Sequence, residues 1–191
     1  MESSPQHCLD NHACFRQLIQ AMSRPGKIYQ MPDAVGTTFV TSLLRLLDAI
    51  VDQQSSCHLI NNNPELEDKI ATKTGAQFTD PQAADFLLAL SGSSQGKITV
   101  AKRGQPELPN AGATILFGVE RLTAGTEKTG TKLTGPGIKD VVYPQIEGWD
   151  DADLKQLQTI NVVFPLGIDS IFLDQNSRLM CIPRSTRIGD N

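Results

Sequence analysis

The chain has 191 residues, which suits one α/β domain with at most a small appendage and is long enough to bury a sizeable core. It is 39% hydrophobic, 20% charged and 5% aromatic, with a net charge of −4 and a pI near 5.3. That balance fits a globular chain; it excludes a global basic field for nucleic acid or acidic membranes, and an aromatic stacking surface for bases.

Residues 1–10 carry neither a basic n-region nor an apolar h-region, and no apolar run approaches the roughly 20 residues of a membrane helix. A cytoplasmic chain is expected. Cys8, Cys14, Cys57 and Cys181 are scattered without a C-x-x-C pattern and read as reduced thiols. His7, Cys8, His12 and Cys14 are ligand types that zinc uses, but their spacing is not that of a finger and no metal site is expected.

Asn11 is a candidate cap for a first helix with Phe15, Leu18, Ile19 and Met22 on one apolar face. Ser23-Arg24-Pro25-Gly26 ends it, and a short strand over 27–30 follows. After a loop over 32–38, Thr37 or Thr38 caps a second helix whose apolar stripe is Phe39, Leu43, Leu44, Leu46, Leu47 and Ile50. A buried strand spans 57–60, with His58 a structural residue within it. Asn63-Pro64 opens a third helix with acidic residues in its first turn, and Gly75 stops it.

Residues 78–79 make a brief strand and 85–90 a buried one. Residues 91–96 are flexible by composition, 98–101 extended, and 102–112 an irregular loop rich in Pro and Gly. The strongest strand covers 113–122; a turn over 125–130 returns it through 131–133 as a hairpin. Asp150 or Asp151 caps a last helix to about Gln158, buried through Leu154 and Leu157. A second hairpin pairs 170–173 with 179–182 around the turn Asp174-Gln175-Asn176-Ser177.

The loop Leu133-Thr134-Gly135-Pro136-Gly137-Ile138 holds two glycines around a proline. Such a loop is either a tight connection or a set of backbone amides facing an anion, and the residues alone favour the connection. Arg24 and Arg184 flank proline turns and offer a planar fork for phosphate-like oxygens; the alternative is a packing or ion-pair role for both. Asp169 either orients an arginine or caps its own turn. The candidate substrate-binding set is therefore Arg24, Thr134, Gly135, Gly137, Asp169 and Arg184, with no catalytic residue nominated.

Three stretches agree in order and separation with one family. They are Phe15-Arg16 with Ala21-Met22-Ser23-Arg24-Pro25-Gly26, then Gly112-Ala113-Thr114-Ile115-Leu116 leading to Leu133 through Ile138, then Phe164-Pro165-Leu166-Gly167-Ile168-Asp169 with Cys181-Ile182-Pro183-Arg184-Ser185-Thr186. Together they resemble the PhnH family of the bacterial carbon–phosphorus lyase system, over nearly the whole chain. The resemblance implies a single α/β domain over 13–187, between a polar tail at 1–12 and a short tail at 188–191. The implied fold is a mixed β-sheet flanked by helices, similar to the large domain of type I pyridoxal-phosphate (PLP) transferases without the cofactor site. No lysine here suits a Schiff base, so no cofactor is expected.

It further implies assembly with PhnG, PhnI and PhnJ and a supporting role in making ribose 1-alkylphosphonate 5-triphosphate from ATP and a phosphonate. The radical cleavage belongs to PhnJ, and the chain is not expected to be active alone. Alternatives are a subunit with its own pocket for phosphonate or ATP, and a free-standing PLP-type transferase. Whether isolated chains form a homodimer is left open.

Overall fold

Strands buried on both faces send alternate side chains into two separate cores, and that rule organises this molecule. The computed structural model describes residues 5–32 and 36–189, with 5–10 as backbone only. In chain order the elements are α1 (Pro5–Ser23), β1 (Tyr29–Gln30), α2 (Phe39–Asp48), β2 (Ser56–Leu59), α3 (Pro64–Thr74), β3 (Gln77–Phe78) and β4 (Phe86–Ala89). A 3-10 turn (Lys97–Val100) precedes β5 (Arg103–Gln105), β6 (Leu108–Gly112), β7 (Thr114–Val119), β8 (Arg121–Ala124), β9 (Leu133–Thr134) and β10 (Pro144–Glu147). Then come α4 (Asp151–Ile160), β11 (Asp169–Asp174), β12 (Arg178–Ile182) and β13 (Arg187–Ile188).

Seven strands form one sheet in the order β1-β12-β11-β7-β4-β2-β3. The strands from β3 to β11 run parallel, and β12 pairs antiparallel with both β11 and β1. Leu88, Leu116, Ile171, Leu173, Leu179 and Cys181 pack with α1, α2 and α3 in one core. Their neighbours Leu87, Ile115, Phe117, Phe172, Met180 and Ile182 pack with α4 and the small β-ribbons in the other. Phe172 joins Phe117 at 5.3 Å and Trp149 at 4.8 Å between ring centroids. The mixed sheet with helices on both faces is the α/β architecture expected.

Several local signals act as their chemistry dictates. Thr38 Oγ1 accepts the Thr41 N–H at 3.3 Å and caps α2. Asn63 Oδ1 accepts the Leu66 N–H at 3.1 Å, Pro64 opens α3, and Gly75 ends it. The β11–β12 hairpin and its 174–177 turn form as expected.

Other expectations are corrected. Asn11 does not cap α1, which runs from Pro5; its side-chain amide instead donates to Asp48 Oδ2 at 3.0 Å. The buried stripe of α1 is Cys14, Leu18 and Ala21, while Phe15 and Ile19 are exposed. The helical period puts Leu18 with the smaller Cys14 and Ala21 against the core and turns Phe15 and Ile19 out. Residues 97–100 are a 3-10 turn, not extended, because Ile98 is drawn into the core and Thr99 Oγ1 donates to Gly96 O at 2.7 Å.

The segment 102–112 is a hairpin of β5 and β6, whose free edge tolerates Pro109. The strand over 113–122 breaks at Glu120, and β8 pairs with β10 rather than with 131–133. Leu154 is only half-buried; Leu157 and Ile160 anchor α4 with Asp153. His7, Cys8 and residues 33–35 lie outside the described side chains, and no metal-ligand cluster occurs among the described residues. No helix among those residues is long and apolar enough to cross a membrane.

The segment over 91–96 is pinned rather than loose. Ser94 is fully buried, and both its N–H (2.6 Å) and its hydroxyl donate to the Asp153 carboxylate in the first turn of α4. Burial pushes the Asp153 carboxyl above the ordinary carboxylate range; the Ser94 bonds pull it back in part, and Asp150 adds to the rise. A pKa raised on folding gives stability that is present below the unfolded pKa, about 3.9, and lost as pH rises through the folded one. Asp153→Asn removes that term. In urea titrations the stability of the wild type relative to the variant is expected to fall as pH rises from about 4 to 7; a difference flat with pH would contradict this. Burial also pushes the Cys14 thiol up to about 11 and Cys57 to about 12, and Cys181 higher still, so these free thiols are poor nucleophiles.

Candidate functional site

The glycine–proline turn after β9 is held in place from three sides. Leu133 is fully buried and exchanges backbone hydrogen bonds with Val142, at 2.9 and 3.1 Å. Antiparallel pairing sets Thr134 opposite Arg187 and Leu133 opposite Ile188. The Ile138 N–H donates to Gly135 O at 3.1 Å and closes the turn. Gly137 sits at φ +83°, where a Cβ would lie 2.3 Å from Ser23 O and 2.9 Å from Pro25 Cδ. Only glycine permits that approach, so the turn locks against the end of α1.

On its other side the turn borders a cleft of about 730 Å³. Thr134, Gly135 and Pro136 form one wall. Leu157, Gln158 and Asn161 of α4 form the second, continued by Val162 and Phe164. The segment from Arg184 to Ile188 forms the third. A cleft of this size with polar groups converging among apolar ones is a common form of binding site.

Arg184 borders the cleft but is engaged behind it. Its Nε and Nη2 donate to Asp169 Oδ2 at 3.0 and 2.6 Å, its Nη1 to Pro109 O at 2.7 Å, and its backbone N–H to Asp169 Oδ1 at 2.8 Å. This network ties the start of β11 to β6 and to the turn before β13. Asp169 therefore orients an arginine, one of the two roles open for it in the sequence. Arg24 is exposed at the end of α1, on the side of the turn where Gly137 packs, and does not line the cleft. Of the six candidate residues, Thr134, Gly135 and Arg184 meet at the cleft and Asp169 stands behind Arg184; Gly137 and Arg24 face the other way.

Two cleft residues escaped the sequence. Arg187 is exposed and lines the cleft, and among the described residues its guanidinium has no ion-pair partner. Thr186 is buried, with an Oγ1 that has no hydrogen-bond partner among those residues. The only signal was the alternation Thr186-Arg187-Ile188 at the chain's end, which means nothing until β13 is known to pair with β9. A second hollow of about 410 Å³ lies at His58, Glu67, Phe78, Thr79 and Asp80. There His58 Nδ1 donates to the Thr79 carbonyl at 2.8 Å while its buried Nε2 has no partner among the described residues, and no Ser or Cys lines the hollow.

The family model described as "Bacterial phosphonate metabolism protein (PhnH)" matches residues 4–189. A curated relative from Stutzerimonas stutzeri, "Putative C-P lyase subunit protein HtxG", is 33% identical over 174 residues, covering 91% of this chain and 83% of that protein.

Proposed function

The chain belongs to the PhnH family of bacterial phosphonate metabolism proteins, and from that premise we propose that it is a subunit of a cytoplasmic carbon–phosphorus lyase assembly. The observation that carries this reading is the likeness to a C-P lyase subunit over 91% of the chain. In this reading the subunit works with PhnG, PhnI and PhnJ. It supports the displacement of adenine from ATP by an alkylphosphonate, giving ribose 1-alkylphosphonate 5-triphosphate, and acts as an assembly component rather than as the catalyst. The resemblance to the large domain of type I PLP transferases belongs to the same reading, as a shared layer architecture without shared chemistry. On co-expression with PhnG, PhnI and PhnJ, the chain is expected to co-purify in a stoichiometric complex whose mass is read by native mass spectrometry. A chain that stays apart from all three at micromolar concentration overturns the proposal.

A second reading is favoured by the cleft itself. Thr134, Gly135 and Arg187, which has no ion-pair partner among the described residues, offer a hydroxyl, a backbone turn and a cation to ATP or a phosphonate. Arg184 stands behind them as a positioning residue. In calorimetric titration with ATP or methylphosphonate, Arg187→Ala is expected to weaken binding about 10- to 100-fold, since a hydrogen bond to a charged group contributes about 1.5–3 kcal/mol. Wild-type protein that binds neither ligand removes this reading and leaves the first intact.

A further inference from the structure

The segment between α4 and β11 carries three consecutive apolar side chains in solvent: Val162 is 76% exposed, Val163 64% and Phe164 63%. Runs of this kind on a surface are costly unless something covers them. The loop is not a loose excursion. Asn161 brackets it at its base: its Nδ2 donates to Ile168 O at 3.0 Å and its Oδ1 accepts the Ile168 N–H at 2.8 Å. Within the loop the Leu166 N–H donates to Val163 O at 2.9 Å. The backbone is thus closed into a hoop that holds the three side chains outward, so little conformational freedom remains to be lost on contact.

The hoop is continuous with the cleft, since Val162 and Phe164 line both. The cleft's lining contains two arginines and no aspartate or glutamate; Arg184 is matched by Asp169 behind it, and Arg187 is not matched among the described residues. The surface therefore sets an exposed apolar hoop beside a polar cleft whose Arg187 has no carboxylate partner among the described residues. Its complement is an apolar segment that carries a carboxylate. Aromatic and arginine side chains at the centre of a patch are the usual anchors of protein interfaces.

The geometry points to the Val162–Val163–Phe164 hoop and the Arg187 side of the cleft as the docking surface for a partner subunit. The occupant is an apolar segment of that subunit bearing an Asp or Glu that pairs with Arg187. This rests on the subunit reading above and names the surface that serves it. The apolar anchors supply affinity, and the desolvated charge pair fixes register.

The test uses the intact complex formed on co-expression with PhnG, PhnI and PhnJ. Val163→Asp, Phe164→Ala and Arg187→Glu are each expected to lower the affinity of this chain for the rest of the complex at least tenfold, with unchanged circular dichroism and melting. Val40→Ser, at an exposed apolar residue of α2 on the opposite face of the sheet, is the control and is expected to assemble as the wild type does. Full assembly of all three folded variants overturns the docking surface while leaving the subunit reading standing. Full assembly of Arg187→Glu alone overturns the carboxylate. Variants that only convert a homodimer to a monomer reassign the surface to a second copy of this chain. Saturable ATP or phosphonate binding by the isolated chain, abolished by Arg187→Glu while the complex still forms, reassigns it to a small anion. A wild-type chain that never assembles removes the subunit reading and the surface together.

Discussion

Asp174→Ala is expected to destabilise the fold by about 3–5 kcal/mol, the usual cost of removing one member of a buried ion pair. The Asp174 carboxylate is fully buried at the end of β11 and every lone-pair direction is used. Its Oδ2 accepts the Leu122 N–H at 3.0 Å, while its Oδ1 accepts the N–H groups of Asn176 and Arg178 at 2.8 and 2.9 Å. The Arg178 guanidinium completes the set through Nε and Nη2, both at 2.7 Å from Oδ2. One carboxylate thus forms the β11–β12 turn, holds β8 against the sheet and neutralises an arginine. Alanine leaves three N–H donors and part of a guanidinium without acceptors. For a chain of this length the melting temperature is expected to fall by roughly 6–20 °C, at about 2–4 °C per kcal/mol. Asp174→Asn keeps an oxygen for the turn amides and is expected to lie in between. A loss below about 1 kcal/mol for alanine in urea denaturation would show that the turn finds other acceptors.

Arg184→Ala is the second large effect, again about 3–5 kcal/mol, and it separates a framework role from a ligand role. The guanidinium joins Asp169, Pro109 and the turn before β13, and the residues of that turn form one wall of the cleft. Removing it leaves the Asp169 carboxylate, about one-fifth exposed at its side chain, without its cation. The double variant Arg184→Ala with Asp169→Asn is expected to recover part of the loss, because the stranded charge goes with its partner. Arg184→Lys is expected to cost less than alanine but more than a surface change, since an ammonium cannot fork between Asp169 and Pro109. If Arg184→Ala leaves stability unchanged and only weakens an anion, the side chain belongs to the ligand rather than to the frame.

How much of this was legible beforehand follows the range of each interaction. Asn63-Pro64 with Gly75, Thr38, Asp150 and the 174–177 turn depend on neighbours within four residues, and each forms as its chemistry indicates. The β8–β10 and β9–β13 pairings do not: no local feature of Leu133 selects Ile188, more than fifty residues later, over residues of the preceding strand. That is also why Thr134 and Gly135, but not Arg187, stand among the sequence candidates that line the cleft. On the face of α1, Leu18 is buried and Met22 packs on the core as expected, but Cys14 and Ala21 complete the stripe in place of Phe15 and Ile19, and a count of large apolar residues passes them over. Asp169 with Arg184 was visible only as two alternatives, and distance alone decided between them.

The β1 edge of the sheet carries a consequence for how the chain is made. Tyr29 of β1 pairs with Leu179 of β12, the Gly26 N–H donates to Cys181 O at 3.2 Å, and the Met31 N–H to Ser177 O at 2.9 Å. The end of α1 therefore has no sheet to rest on until the last two full strands leave the ribosome. At 5–20 residues per second the intervening 150 or so residues take about 8–30 s to synthesise. For that interval Leu18 and Ala21 lack the β11 and β12 side chains that later share their core. The nascent chain therefore keeps this stripe short of its cover until β11 and β12 arrive.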